Sequence, residues 1–567
     1  MSALDWWVLG STVAVLIGWG LYKSRGQQTL DDYMLAGQSL PWYHVGLSVM
    51  ATQASAITFL SAPGQGFADG MRFVQFYFGL PLAMIVLSVT FVPIFHRLKV
   101  YTAYEFLENR FNGPVRSLTA GLFLLQRGLS TGLSIYAPSI ILSTILGWNI
   151  YWTNLIMGGL VLLYTVSGGT KAISHTHLTQ MLIVTVVMLV AGCLTVTLLP
   201  ANIGFMDALR VAGKAGRLNL IDTKFDLQNR YNLWSGLVGG FFLQLAYFGT
   251  DQSQVGRYLT GGSVGQSRVG LLMNGLLKVP MQFLILLVGV LVFVYYQFNP
   301  SPLFFNQQET DALRAGPQAA AFRQLETRHA ALSAQRQRAV VALQEAVVSG
   351  QKNAEAEAGA QLRQHDAAMT GLHSQAVQLI KQTNSHADTN DVNYVFLRFV
   401  LDHLPHGLIG LLIAALFIAS MGSIASAYSS LASTSVIDVF NRIWPAHTGN
   451  EVRLSRWLTV GWGVFCIIVA QFANLVGGSM IEIVNVLGSL FYGVILGIFC
   501  VAFYLKSVGG RATFWAALLA EGLVIACYWL DVMAFLWLNV LGCLLVMGLA
   551  LLLHHTLPDK RQPQPSE

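Results

Sequence analysis

Four clusters of polar side chains interrupt the longest apolar runs of this chain, and they set the chemistry available to it. The run GLSVMATQASAITFLSAPG carries Ala51, Thr52, Gln53, Ala54, Ser55, Thr58 and Ser61 at its centre, with Pro63 and Gly64 behind them. Small residues alone would mean close helix packing. Hydroxyls and an amide beside a helix breaker point further, to an interrupted helix whose free carbonyls and half-helix ends can hold a cation. A second stretch, SMGSIASAYSSLASTS from Ser420 to Ser435, is rich in hydroxyls. In an apolar helix that is costly unless the hydroxyls line a cavity or bond back to the helix, so a cavity wall and packing glue both remain open. A third cluster gathers Gln244, Tyr247, Gly249, Thr250 and Asp251, with Gly239 and Gly240 loosening the helix ahead of it.

The fourth is a single charge. Arg127 sits well inside the apolar run LFLLQRGLSTGLSIYAP. A charge at that depth costs at least about 2.5 kcal/mol, so it normally faces a cavity or a partner. One reading makes its guanidinium a fork for a carboxylate or another anion. The other has it snorkel or pair with a protein carboxylate such as Glu482.

Elements that can position such groups follow from composition. The 567 residues are 54% hydrophobic and only 11% charged, where a soluble chain carries about a quarter. A bilayer core about 30 Å thick needs roughly 20 apolar residues per helix, and backbone groups in lipid must be satisfied within the span. About thirteen such runs are expected, near 4–22, 42–66, 74–96, 117–146, 149–167, 177–199, 234–250, 268–297, 405–440, 454–474, 480–505, 512–530 and 533–554. The first lacks a basic leader and a small-residue cleavage site, so it reads as a retained helix. Lys and Arg concentrate at alternate helix ends, which expects a periplasmic N-terminus and a cytoplasmic C-terminus in a bacterial inner membrane. The net charge of +6 is thereby accounted for without nucleic acid.

Between 299 and 394 the composition changes. From Gln307 to His386 it is rich in Ala, Gln, Glu and Arg, and Gly350 can turn one helix back on another. An outward-facing helical hairpin is expected, either as a solvated loop or as a docking point for a partner. The five cysteines all lie in apolar runs, without disulfide or metal spacing. No HExxH, GxSxG or Walker-type motif and no mid-span pair of carboxylates occurs, so an enzyme is not expected; nor is a receptor with an output domain, since only about ten polar residues follow Leu557.

The segments YMLAG (33–37), Ala51–Gly64, YTAYEFLENRF (101–111), GGTKA (168–172), DQSQVGRYLT (251–260) and Ile418–Phe440 resemble the sodium:solute symporter family over nearly the whole chain outside the insertion. The resemblance implies an all-α polytopic protein with a leucine-transporter-like inverted repeat, both interrupted helices meeting at mid-membrane. The first five-helix repeat would be 42–199 and the second 234–505, broken by the 299–394 insertion, with an extra helix at 1–22 and two more in 512–554. It implies a sodium site from the carbonyls of Ala51, Ala54 and Ala419 and the hydroxyl of Ser423. Relatives carry a further hydroxyl where this chain has Gly422, so water or Ser426 would supply that oxygen. A T-D-x-x-Q motif that serves a second sodium in some members reads Thr176-His177-Leu178-Thr179-Gln180 here. Imidazole is a poor substitute for carboxylate toward a hard cation, so one coupling ion is expected, with His177 a polar residue at a helix end.

By the same matching, Gln53, Ser55, Thr58, Tyr77 and Gln244 would line the solute pocket, Tyr247 would be the inner gate, and Tyr136 and Asn485 would be neighbours. Arg127 resembles the arginine with which the sialic-acid members hold a carboxylate. The resemblance therefore implies sodium-coupled symport of a small organic anion or sugar acid by alternating access. Sodium, the solute and the bilayer are its partners, and no cofactor is implied. A sugar or inositol symporter and a non-transporting membrane sensor are the alternatives.

Overall fold

The computed structural model describes residues 1–23, 39–98, 100–384, 387–443, 451–475 and 478–557. The YMLAG segment lies outside these residues, as do the side chains of GGTKA at 168–172. Among the described residues nine helices are long and apolar enough to cross a membrane, and Ala3–Trp19 and Ile150–Val166 are shorter apolar helices. The chain is a multi-pass membrane protein. Two expected spans fall short of full length: 42–66 is interrupted at Ala54, and 234–250 is cut off by the break that follows it at Asp251.

The first interruption follows directly from its residues. Helix α1 is Ala3–Lys23 and α2 is Trp42–Gln53; α2 stops at Ala54, whose φ of −87° and ψ of 84° leave the helical region. The Oγ of Ser55 then accepts from the N–H of Ile57 at 3.2 Å and starts a π-turn, Ile57–Ser61. Helix α3, Ala62–Asp69, continues from it with Pro63 in its first turn, where a missing N–H costs nothing. Helices α4 (Leu80–Val89) and α5 (Phe91–Leu98) precede α6, Gly113–Leu146, which the side chain of Asn112 caps by accepting from Val115 N–H. Helix α7 is the run Ile150–Thr197. The Tyr164 and Thr176 hydroxyls meet at 3.2 Å, whereas 12 residues of straight helix would rise about 18 Å. The run therefore doubles back, and 149–167 and 177–199 remain separate passes.

The second repeat departs from expectation. Gly239 and Gly240 do not unwind the chain; a π-turn, Ser235–Gly239, leads straight into α8, Gly240–Thr250. The break comes later, at Asp251, whose extended backbone (φ −78°, ψ 118°) separates α8 from α9, Gln252–Tyr258. The second repeat thus has its own broken helix, with the break at Asp251 rather than near Gly239 and 3.6 Å from Arg127 of α6. Helix α10, Val264–Phe298, packs closely against the first broken helix. A Cβ on Gly289 would lie 1.9 Å from the Pro63 carbonyl, so only glycine permits this backbone-to-backbone contact.

The insertion holds α11 (Gln307–Ala315), α12 (Ala319–Ser349) and α13 (Lys352–Thr383), with Gly350 at φ +69° between the last two. The pair does not stand away from the bundle. Near its base Gln308 Nε2 donates to the Ser143 carbonyl at 2.8 Å, and in its middle Arg336 donates to the Tyr296 carbonyl at 2.5 Å. Close to the Gly350 turn, Glu355 pairs with Lys214, and Gln344 donates to the Asn202 carbonyl. Base, middle and tip all touch one end of the bundle, so the hairpin lies along that face. Six more helices complete the bundle: α14 (Val392–His403), α15 (Leu408–Thr434), α16 (Glu451–Ala470), α17 (Met480–Tyr504) and the pair α18 (Gly510–Trp529) and α19 (Phe535–Thr556).

Candidate functional site

A cavity of about 100 Å³ opens where α2 breaks. Thr52, Gln53, Ser55 and Thr58 line it from the broken helix, with Tyr77 beside them. Helix α6 contributes Gln126, Arg127, Ser130, Thr131 and Ser134, a stripe at three- and four-residue spacing that marks one helical face. Gln244 and Tyr247 come from α8, Ser423 from α15, and Asn485 and Tyr492 from α17. The expected residues Gln53, Ser55, Thr58, Tyr77, Arg127, Gln244, Asn485, Tyr247 and Ser423 thus share one cavity.

The charge inside it is paired. Arg127 Nη1 lies 3.6 Å from Asp251 Oδ2, and Tyr492 donates its hydroxyl to the same oxygen at 2.7 Å. The other Asp251 oxygen caps α9, accepting from the Ser253 N–H at 2.8 Å and hydroxyl at 2.5 Å. Arg127 also stands over the Tyr247 ring, 5.8 Å from its centre, while its Nε is buried without a hydrogen-bond partner. The alternative pairing with Glu482 is corrected: that carboxylate binds Arg230 at 2.5 Å. It stands in the first turn of α17.

Bridges cross the cavity. Gln53 donates to Gln244 Oε1 at 3.4 Å, joining α2 to α8, and Gln254 donates to the Tyr247 hydroxyl at 2.7 Å. The Tyr247 and Tyr492 rings lie 5.7 Å apart. Together they stand on the side of the cavity toward α9.

The candidate cation residues divide. Ala51, Ala54 and Ala419 are buried, and α15 packs against both α2 and the π-turn. The Ser423 hydroxyl donates to the Ser420 carbonyl at 3.1 Å and keeps its lone pairs on the cavity side of α15. Ser426 is not available as a spare oxygen, because its Oγ accepts from both Nε and Nη2 of Arg257, at 3.1 and 2.8 Å. His177 stands in the first turn of the pass Thr176–Thr197 and is fully buried, with Nδ1 3.2 Å from Ser48 Oγ. A Cβ on Gly422 would lie 2.8 Å from the Nε2 of that ring. The imidazole therefore occupies the room that a hydroxyl side chain at 422 would need. Tyr136 is also displaced from its expected place. It does not line the cavity, and its hydroxyl donates to Asp388 at 3.1 Å, on the hairpin side.

The fold and the site can now be set against known proteins. The profile of the sodium:solute symporter family matches residues 33–311 and 367–520. The chain belongs to the sodium:solute symporter family. The match lapses over all of α12 and the first half of α13, so that part of the hairpin is an addition to the family's common core. The sodium-dependent multivitamin transporter of Oryctolagus cuniculus is 25% identical over 512 residues, covering 89% of this chain and 66% of that protein. The Homo sapiens sodium/iodide cotransporter is 32% identical over 308 residues, 52% of this chain and 46% of its own. The Mus musculus sodium-coupled monocarboxylate transporter 2 is 30% identical over 279 residues, 48% and 44% respectively. The chain thus spans from 44% to 66% of the length of these relatives. A solved structure of a substrate-bound, outward-open Na+-coupled sialic acid symporter superposes with a TM-score of 0.76 at 19% identity, covering 99% of this chain and 100% of the other. That structure and this chain therefore share one fold.

Residues beyond the expected set complete the site. Gln126, Ser130, Thr131 and Ser134 had a readable signal, as polar positions on one face of an apolar helix, and Asp251 stood in the third polar cluster without a named partner. Tyr492 had none, since a tyrosine in a membrane helix is usually packing.

Proposed function

We propose that this member of the sodium:solute symporter family couples the inward passage of sodium to the uptake of a small organic anion. The observation that carries this reading is the convergence, on one cavity, of the break at Ala54, the Ser423 hydroxyl and the Arg127 guanidinium. In this reading sodium sits among the carbonyls of Ala51, Ala54 and Ala419 and the hydroxyl of Ser423. The solute meets Arg127, Gln53, Thr58 and Gln244. Shared walls make the two occupancies interdependent, which is what coupling requires. Tyr247 and Tyr492 shut the cavity on the α9 side, and the hairpin face is turned outward, in a bacterial inner membrane. Monocarboxylate and iodide, after which two relatives are named, are both small anions, and Arg127 Nε is unengaged.

A second reading, symport of an uncharged polar solute such as a sugar, is favoured by the Asp251 carboxylate that already balances Arg127. Proteoliposomes with an inward sodium gradient test both. Accumulation of labelled monocarboxylates supports the anion, accumulation of sugars alone supports the second reading, and saturable binding without accumulation removes symport altogether.

A further inference from the structure

Helices α16 and α17 follow one another in the chain but do not pack together. Helix α16 lies against α6, α7 and α15, whereas α17 and α18 rest on α6 and on α19. No extended contact joins α16 to α17, α18 or α19 among the described residues. The cleft between them has a volume of about 620 Å³. Its walls are apolar: Leu129 and Leu133 of α6, Val469 of α16, and Val486, Leu487 and Leu490 of α17. Its charged groups gather at one end, the mouth. There Arg230 binds Glu482 at 2.5 Å, the charge of Asp531 is felt at the same guanidinium, and Gln228 donates to the Asp531 carbonyl at 3.2 Å.

The dimensions are those of one lipid leaflet. From Glu482, in the first turn of α17, to Leu490 the helix descends about 12 Å, against the roughly 15 Å that is half of a 30 Å hydrocarbon core. Tyr528 at the mouth and Trp529 beside it, 83% exposed, are residue types that collect at headgroup level. Ile468 and Phe472, on the α16 side, are more than half exposed, so the cleft opens sideways to lipid. Left empty it forfeits dispersion contacts along its walls, and water inside it would find too few polar partners. An acyl chain fills it without either cost.

The mouth then selects the headgroup. One guanidinium and two carboxylates leave it one negative charge in excess among the described residues; Val476 and Gly477, which precede Gly478 of the lining, add none. Arg230 is 63% exposed and engages Glu482 through Nη1, so its other N–H groups are open to a phosphate. Asp531 and Glu482 offer acceptors to a primary ammonium. Phosphatidylglycerol has no ammonium and meets the excess negative charge, and the quaternary ammonium of phosphatidylcholine has no N–H to donate.

We propose that this cleft is a binding site for one phosphatidylethanolamine molecule, with a chain along α17 and the phosphate on Arg230. The site stands on its own residues and does not depend on the sodium or anion readings. Its chain lies behind two walls of the solute cavity. On α6, Leu129 and Leu133 face the cleft while their neighbours Ser130 and Ser134 face the cavity; on α17, Val486 and Leu487 stand between Asn485 and Gly488 in the same way.

The test uses the purified, delipidated full-length chain in detergent, titrated with phosphatidylethanolamine, phosphatidylcholine or phosphatidylglycerol of identical chains while the unfolding temperature is read. A saturable rise is expected, half-complete at about tenfold less phosphatidylethanolamine than either other lipid, which is what one hydrogen bond to a charged group supplies. Asp531→Asn, a residue that tolerates the φ of +48° at this position, should erase the preference for phosphatidylethanolamine. Leu487→Trp, which fills the cleft, and Arg230→Gln should each lose most of the rise. Equal titrations for the three lipids would mean ordinary bilayer filling and overturn the proposal, as would a rise undiminished in both Leu487→Trp and Arg230→Gln. Should the variants fail to fold, crystals of the parent grown with phosphatidylethanolamine carrying brominated chains decide. An anomalous peak between Leu133 and Leu487 supports the site, and its absence sinks it.

Discussion

Arg127 Nη1 and Asp251 Oδ2 stand 3.6 Å apart, joining the middle of α6 to the break between α8 and α9. An anionic solute must therefore compete with Asp251 for the guanidinium, or approach it through the unengaged Nε. Solute binding and the seating of α9 are in that way connected through one side chain.

Arg127→Gln is expected to raise the KM for an anionic solute at least about tenfold, equivalent to about 1.4 kcal/mol, with sodium binding largely kept. Asp251→Asn leaves a buried guanidinium unpaired and is expected to cost about 3–5 kcal/mol of stability. The double variant should recover part of that loss. Thermal unfolding and uptake kinetics of the three variants check this; a double variant no more stable than Asp251→Asn would mean the pair contributes nothing as a pair.

Ser423→Ala removes the hydroxyl that reaches the cavity beside the α2 break. Half-maximal sodium for uptake is expected to rise roughly 5–30-fold, the equivalent of one or two kcal/mol. A sodium titration with an unchanged midpoint would take Ser423 out of the cation site.

Docking of the hairpin base should weaken as pH rises. Burial pushes the Asp388 carboxyl up to about 6, against the opposing bonds it receives from Asn390 N–H, Tyr136 and Tyr394. At His373 burial acts downward, but the bond to Asp391 outweighs it and the ring titrates above its ordinary value. Both groups are raised relative to the unfolded chain, so both contribute stability at acid pH that is lost as pH climbs through their folded values. Hydrogen exchange over 388–394, corrected for its intrinsic pH dependence, should show more protection at pH 5 than at pH 8. Equal protection would break the argument.

Replacing 319–383 with a short linker removes α12 and α13 but keeps Gln308 on Ser143 and Asn393 on Ser61. Sodium-driven uptake is expected to survive with a lowered unfolding temperature, because Leu303, Phe304 and their neighbours lose apolar cover. Abolished uptake in a folded protein would make the long helices part of the transport machinery.

Much of the site was legible because lipid makes polar groups expensive. Ser55, Thr58 and Arg127 announce a cavity wherever they stand in an apolar helix, and the structure brings them to one. Partnerships were not legible. Nothing in the spacing of Arg127 distinguishes Asp251 from Glu482, since the choice depends on where α8 ends. His177 reads as a helix-end residue, yet the doubling back of α7 buries it against Gly422. Tyr136 is claimed by Asp388, which arrives only after the hairpin has returned to the bundle. The late position of the second break escaped as well, because Gly239 and Gly240 are better loosening signals than Asp251 and were accommodated by a π-turn instead.

The flat lie of the hairpin bears on how the cavity walls are held. Helix α12, with 31 residues, is about 46 Å long and forms a ledge rather than a stalk. Beyond the end of α13 comes the strip Asp388–Asn393, which reaches Tyr136 on α6, Ser61 on the π-turn and Met480 at the head of α17. Those three elements also wall the cavity, so the strip ties its walls together on the hairpin side.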